Sequence, residues 1–284
     1  MIKTKEPAKN MKIILTIIMV IIFLIWQNNH ISVSKYIYKN EKLPKGFNGF
    51  KILHISDLHN KTFGKNQRYI LGKIKSLSPD IIVITGDLVD RRRFDLEKAL
   101  EFVKGAMDIV PVYYVPGNHE AWSGKYDVVR EELKRLDIRV LENEKLRLDR
   151  ENSSIEILGL MDPGFYSLGH KDRETRFHIL EEKLNKLKND SEFQILLSHR
   201  PELLDLYVAA NMDMIFAGHA HGGQFRIPGL GGLVAPEQGF FPKYTSGSHT
   251  RDNSTLYISR GLGNSIIPIR IFNRPEIVLV KLED

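Results

Sequence analysis

Cysteine is absent from all 284 residues. Disulfides, thiolate nucleophiles and Cys-ligated zinc are therefore excluded. Any transition-metal site has to be assembled from His, Asp, Glu and Asn. A strong charge of one sign is also missing: 41 Lys and Arg against 35 Asp and Glu leave +6. An excess this mild permits an acidic partner without requiring one. There is no internal repeat and no low-complexity tract, and 21 Gly with 12 Pro exclude a fibrous chain. With 42% hydrophobic and 27% charged residues the chain is not broadly disordered, and its length suits one large α/β domain or two small ones.

Asp, Glu, Lys and Arg are all missing between Lys12 and Lys35. As a helix the intervening 13–34 stretch would reach about 33 Å, enough to span a bilayer. Its strongly apolar part, Ile13 to Trp26, is Ile-rich on every face, unlike a core helix with a polar stripe. We read 1–12 as a basic tail, 13–34 as an uncleaved anchor or signal-anchor, 35–49 as a linker and 50–284 as the folded domain. A cleaved signal is the alternative, with Ser32 or Ser34 near the cut. Lys3, Lys5, Lys9 and Lys12 precede the span, and Lys35, Lys39, Lys42 and Lys45 follow it, so the charge rule for orientation ties. The basic N-terminal region has signal-anchor character. The expectation is a single-pass cell-membrane protein with its folded domain outside the cytoplasm.

From Phe50 on, strand-like and helix-like segments alternate. Lys51–Ser56, Asp80–Thr85 and Val112–Val115 read as strands; Gln67–Leu77, Leu96–Met107 and Tyr126–Leu136 read as amphipathic helices. That order predicts right-handed crossovers and a largely parallel sheet. Ile155–Leu160, Phe193–Ser198 and Asp213–Ala217 read as later strands and Glu174–Leu187 as an exposed helix. Leu256–Ser259 and Ile277–Val280 read as antiparallel strands of the tail.

Polar residues gather where these strands end, the edge at which open α/β sheets place their sites. The segments are Ser56-Asp57-Leu58-His59, Gly86-Asp87-Leu88-Val89-Asp90, Gly117-Asn118-His119-Glu120, Ser198-His199-Arg200 and Gly218-His219-Ala220-His221-Gly222-Gly223. One Asp-x-His alone would be a cap or turn. Carboxylate, imidazole and amide oxygen delivered five times to one edge suit a divalent metal.

This set resembles the calcineurin-like metallophosphoesterases, whose blocks run Asp-x-His, Gly-Asp-x-x-Asp, Gly-Asn-His-Asp/Glu, a separate His and Gly-His-x-His. All five are present in order, and the resemblance covers roughly 50–284. Ser56–His59, Gly218–Gln224, Ser259–Gly263, Pro268–Arg270 and Asn273–Ile277 are similar to a membrane-associated bacterial branch. That branch includes cell-envelope phosphodiesterases and enzymes like UDP-diacylglucosamine pyrophosphatase. The resemblance implies a four-layer α/β/β/α sandwich of two mixed sheets and a centre of two divalent ions (Mn, Zn or Fe). It assigns Asp57, His59, Asp87 and His221 to the first ion, with Asp87 bridging and Asn118, His199 and His219 completing the second. His119 would act on the leaving oxygen rather than bind metal. The implied reaction is hydrolysis of a phosphodiester or pyrophosphate by a bridging water, with a lipid-linked or cell-envelope substrate in view.

Weaker readings concern single residues. Glu120 and Asp90 are either supports for ligands or plain loop carboxylates. Arg200, Arg91 and Arg92 are candidate substrate contacts, set against ordinary solvated arginines, and Arg93 completes the basic run. His54 reads as a packed strand residue, and His30, His170, His178 and His249 as solvent-facing. Phe240-Phe241-Pro242 forms either an apolar lip or a local packing unit. Two other functions are weighed: a nuclease or cyclic-nucleotide phosphodiesterase, and a non-catalytic binding protein on this scaffold. No basic stripe interleaved with aromatics appears, so no specific nucleic acid is expected. A degenerate scaffold would have lost ligands, and none is missing.

Overall fold

The computed structural model describes residues 6–166, 172–264 and 267–284; Lys3, Lys5 and His170 lie outside the described residues. Helix α1 (Glu6–Asn29) leads directly into strand β1 (Ser32–Lys39). Its segment Lys9–Asn29 is long and apolar enough to cross a membrane.

Next come β2 (Lys51–Ile55), α2 (Arg68–Leu77), β3 (Ile81–Thr85), α3 (Leu96–Met107), β4 (Val112–Val115), α4 (Asn118–Ser123), α5 (Tyr126–Arg135) and β5 (Arg139–Val140). The chain then forms β6 (Glu144–Arg150), β7 (Ser153–Gly159), α6 (Arg173–Leu187), β8 (Gln194–Leu197), α7 (Leu204–Ala209) and β9 (Met214–Ala217). Two small hairpins follow, β10 (Arg226–Ile227) with β11 (Gly231–Gly232) and β12 (Val234–Ala235) with β13 (Gly239–Phe240). The chain ends in β14 (Gly247–Arg251), β15 (Ser254–Ile258) and β16 (Glu276–Glu283).

The large strands make two six-stranded mixed sheets, ordered β1-β16-β2-β3-β4-β5 and β14-β15-β9-β8-β7-β6. Three separate apolar clusters establish the layering. Ile70, Ile74, Phe102, Val103 and Val129 pack helices on the first sheet. Leu180, Leu184, Leu204 and Tyr207 pack helices on the second. Between the sheets lie Ile52, Val83, Val115, Ile157, Ile195, Phe216 and Val280. The result is the four-layer α/β/β/α sandwich. Strands β3, β4, β8 and β9 are buried along their whole length, as strands covered on both faces must be, and read as apolar runs broken only by Thr85 at the end of β3 and Gln194 at the start of β8.

Local sequence explains the helices that position the site. In α3, Ala99, Phe102, Val103 and Ala106 fall at helical spacing on one buried stripe, and the Asp95 side chain accepts from the Lys98 N–H at its start.

One expectation changes. The 35–49 stretch is not a linker: β1 pairs in parallel with β16 over eight residues, and Tyr38, Leu43 and Phe47 are buried. Burial of these apolar side chains fixes the segment to the domain. The tail strands each have an antiparallel neighbour, in different sheets. β15 sits in the second sheet, antiparallel to β14 and parallel to β9, whereas β16 lies in the first, parallel to β1 and antiparallel to β2. His54 is the packed strand histidine expected, its Nε2 2.7 Å from Thr85 Oγ1, with burial lowering its pKa to about 3.

Candidate metal centre

Both sheets deliver their polar ends to one place. β2 runs out into Asp57 and His59, β3 into Asp87, and β4 into Asn118 at the start of α4. From the other sheet β8 supplies His199, and β9 supplies His219 and His221. The seams are tied across the two sheets. Thr85 C=O accepts from Ser56 Oγ at 3.0 Å and lies 2.6 Å from His199 Nδ1, while the His219 N–H reaches both Asp57 oxygens at 3.1 and 3.2 Å.

Asp57, His59, Asp87 and His221 place one donor atom each within 4.8 Å of one another, and Asp87, His199 and His219 do the same. Asp87 belongs to both groups. In the first, His59 Nε2 lies 3.1 Å from His221 Nε2 and 3.6 Å from Asp87 Oδ2; His221 Nε2 is 3.3 Å from Asp57 Oδ1. In the second, His199 Nε2 stands 3.0 Å from Asn118 Oδ1, 3.2 Å from His219 Nδ1 and 3.3 Å from Asp87 Oδ2. Ligand bonds of about 2.0–2.2 Å give neighbouring donor atoms roughly 2.9–3.5 Å apart in octahedral or tetrahedral shells. The donor spacing therefore fits coordination, and so does its N/O chemistry. The Thr85 carbonyl draws the proton of His199 onto Nδ1, which leaves Nε2 with its lone pair toward the cluster.

Electrostatics agree. Burial lowers the pKa of His59 to about 3 and carries His219 and His221 well below the usual range, which keeps all three rings neutral. Burial also opposes charge on Asp87, but the His199 and His119 imidazoles outweigh it and hold Asp87 well below an ordinary carboxylate. Asp57 moves the other way, up to about 6, through burial and Asp87, with His199 opposing. Burial likewise opposes a charged His199, yet Asp87 and Asp57 prevail and lift it to about 10, so binding an ion there would displace the Nε2 proton. Two buried carboxylates require positive charge beside them.

The backbone is strained at the same points. Asp57, His59, Asp87, His219 and His221 all have φ between 47° and 62°, a region that non-glycine residues seldom occupy. Such outliers persist where the surroundings over-determine them, and they gather at functional sites. Gly86 takes φ +86°, and a Cβ there would stand 2.5 Å from the Gly117 backbone. Gly86→Ala should therefore drive the β3 and β4 turns apart. We expect a loss of at least about 1–3 kcal/mol, read as a lowered unfolding midpoint; an unchanged midpoint would refute the close packing.

Several residues that sequence left undecided have defined contacts. Glu120 is a fully buried staple: Oε2 accepts from the Asp87 and Gly117 N–H groups, each at 2.8 Å, and Oε1 from Val89 N–H at 3.1 Å. Glu120→Ala should cost about 1–3 kcal/mol for each N–H left unsatisfied, measured by denaturant unfolding. Asp90 Oδ1 accepts from the Arg92 and Arg93 N–H groups, and Asp90 forms a further close group with His59 and His119. His119 Nδ1 accepts from Arg91 N–H at 3.1 Å.

A cavity of about 220 Å³ opens over the centre, and its walls include His119, Arg91, Arg92, Trp122 and Gln224. The Arg91 guanidinium stacks on Trp122 at 4.6 Å. Arg200 is not part of that lining. It is buried beneath His219, with Nη1 2.9 Å from His219 Nε2, Nε 2.5 Å from Asp162 Oδ2, and further carboxylates from Glu202 and Glu237 at 3.5 and 2.8 Å. Arg93 faces a neighbouring cavity. His178 is exposed, His30 contacts Arg274, and His249 meets Ser246 C=O, all away from the centre. Phe240 and Phe241 are 77% and 67% exposed, which favours a lip over local packing.

Sequence alone does not mark Asp162 or Thr85 for the site, and it marks Asn273 only as part of the Asn273–Ile277 segment. The Asn273 amide donates to His221 C=O at 2.7 Å and to Gln224 C=O at 2.9 Å and so fixes the last ligand turn.

Comparison with known proteins adds a separate line of support. The family model described as calcineurin-like phosphoesterase matches residues 50–223. An uncharacterized metallophosphoesterase of Campylobacter jejuni is 30% identical over 95% of this chain and 69% of its own length. The uncharacterized metallophosphoesterase YkuE of Bacillus subtilis is 28% identical over 89% of this chain and 86% of its own. A transmembrane protein with a metallophosphoesterase domain from Danio rerio is 28% identical over 86% of this chain and 55% of its own.

Proposed function

The chain belongs to the calcineurin-like phosphoesterase family, the metal-dependent phosphoester hydrolases that use two divalent ions, and on that premise we propose that it is a membrane-anchored hydrolase of phosphodiester or pyrophosphate bonds in lipid-linked or cell-envelope substrates. The observation that carries this reading is the pair of donor groups sharing Asp87 at the floor of a closed-in cavity.

Asp57, His59, Asp87 and His221 would hold one ion, and Asp87, Asn118, His199 and His219 the other. Two bound ions would polarise phosphoryl oxygens and lower the pKa of water so that hydroxide is available near neutrality. The protein's own residues do the rest. Asn118 is neutral, so two carboxylates set the charge of the centre and leave it attractive to an anion. Arg91 and Arg92 line the cavity for phosphate oxygens. His119 presents its Nε2 side for the leaving oxygen. Arg200, engaged by three carboxylates, does not reach for substrate.

The anchor supports the lipid reading because α1 is fastened to the domain. Asn28 Oδ1 accepts from Arg270 N–H at 2.9 Å, the Lys61 ammonium meets the Asn28 C=O, and Phe23 packs edge-on against Phe272 at 5.6 Å. Such a base would hold the centre close to a bilayer surface. The signal-anchor character of the lysine-bearing N-terminal region favours an extracytoplasmic domain; protease protection of the domain in intact spheroplasts would overturn that orientation.

The direct test uses the full chain in detergent, stripped by chelator and reloaded with Mn or Zn. We expect hydrolysis of bis-(p-nitrophenyl) phosphate to vanish on stripping, return on reloading and exceed that of the matching monoester. Preference for the monoester would overturn the diester assignment, and hydrolysis indifferent to metal would overturn the centre.

A further inference from the structure

A second basic cavity, away from the metal centre, lies at the foot of α1. Its volume is about 650 Å³, and its walls include Gln27 from the last turn of the helix, Arg226 and Leu230 from the β10–β11 hairpin, and Arg260, Phe272 and Arg274. Among the described residues, Glu276 is the one carboxylate in ion-pair contact with these three arginines, through Arg260 at 3.0 Å. Two guanidinium charges therefore remain uncompensated. Arg226 donates to Gly222 C=O at 2.9 Å, and Arg274 stacks on Trp26 at 4.7 Å. Neither contact neutralises the arginine.

Gln27 is 3% exposed, and its Oε1 has no hydrogen-bond partner among the described residues. That oxygen can only accept, so the group it suits is a headgroup hydroxyl beside the phosphate rather than a phosphate oxygen. The rim is apolar and outward: Leu230 is 73% exposed and Phe272 51%. Phosphate-binding charge below an apolar rim, at the end of a helix long enough to cross a bilayer, matches the layering of a phospholipid, with its charged headgroup adjoining acyl chains. A free anion would use the arginines but has no use for the exposed Leu230 and Phe272.

We propose that this cavity binds the phosphate headgroup of an anionic membrane phospholipid and so seats the domain on the bilayer at a fixed angle. The proposal rests on α1 being a membrane span and is independent of the catalytic reading.

The test is native mass spectrometry of the full chain in a nonionic detergent, titrated with dioleoylphosphatidylglycerol or dioleoylphosphatidylcholine. The anionic lipid should bind in preference to the zwitterionic one. The double variant Arg226→Gln/Arg274→Gln should lose most of that preference, at about fivefold per arginine and hence roughly 25-fold for the pair. Leu230→Glu, on an exposed hairpin, puts a carboxylate at the rim and should weaken the same binding; it keeps the test decisive if the double variant does not fold. Equal binding of the two lipids, or an undiminished preference in a folded variant, would overturn the proposal. Displacement of phosphatidylglycerol by equimolar inorganic phosphate would also overturn it, since the site would then take a free anion. Alkaline carbonate extraction of native membranes separates the two readings. Release of the chain would remove the anchor itself, whereas retention with unselective lipid binding would refute the headgroup site alone.

Discussion

Asp87→Asn should abolish metal-dependent hydrolysis and reduce bound metal, the largest single-residue effect expected in this protein. Among the described residues, Asp87 is the only one common to these two donor groups. Its Oδ1 is held by the His119 N–H at 2.8 Å, which leaves Oδ2 facing His59 Nε2 at 3.6 Å and His199 Nε2 at 3.3 Å. Asparagine keeps the size but gives up the charge. If its oxygen keeps the His119 N–H, its NH2 turns into the centre, where a ligand lone pair is needed. Removing one electrostatic element from a preorganised site commonly costs about 10²–10³ in rate, and this one serves both ions, so the loss should reach at least that order. The check pairs metal content by atomic emission with diester hydrolysis. Two ions retained together with full activity would refute the shared-ligand assignment. Stability should fall as well, because the folded state holds Asp87 well below an ordinary carboxylate and so favours its charge over the unfolded chain.

Much of this site is readable along the chain because the candidate ligands follow apolar strands. Ile81–Thr85 ends at Gly86-Asp87 and Met214–Ala217 ends at Gly218-His219. The strands mark the sheet edge, and the punctuating residues mark the chemistry. Helix α3 is legible for a comparable local reason: its cap and its buried stripe lie within one stretch of sequence. What escapes is whatever depends on distant partners. Nothing in Glu276–Glu283 says that it lies between β1 and β2, and nothing in Ser254–Ile258 assigns it to the other sheet. β1 hides because its residue types do not alternate: Ser34-Lys35 and Tyr36-Ile37-Tyr38 run together. Only its burial alternates, with Ile37 exposed and Tyr36 and Tyr38 facing inward, within 5.3 and 6.5 Å of Tyr257, as one side of an edge strand. The supports of the centre escape for the same reason. Arg200 reads as a surface residue until Asp162, 38 positions earlier, is seen to clamp it. The left-handed backbone at five of the ligands has no signature in residue type at all.

His119→Ala should leave both metal ions in place and still slow turnover by about 10²–10⁴, the usual contribution of a positioned proton donor. The argument starts from the tautomer. Arg91 N–H donates to His119 Nδ1 at 3.1 Å, so in the neutral ring the proton sits on Nε2. Burial lowers the His119 pKa, only partly offset by the carboxylates of Asp87 and Asp90, so the neutral ring is the form present at pH 7. A neutral Nε2–H is a hydrogen-bond donor to the departing oxygen more than a strong acid. That distinction is measurable. Loss of such a donor should hurt substrates with poor, alkoxide-like leaving groups far more than nitrophenyl esters, whose leaving groups need little help. The rate ratio of wild type to His119→Ala should therefore rise with leaving-group pKa, with KM little changed. A ratio flat across the series would remove His119 from the leaving-group side. Loss of metal in the variant would instead make it a ligand, within the group it forms with His59 and Asp90. The contact between the rings of His59 and His119, 4.4 Å apart and edge to face, makes these two outcomes the ones worth separating.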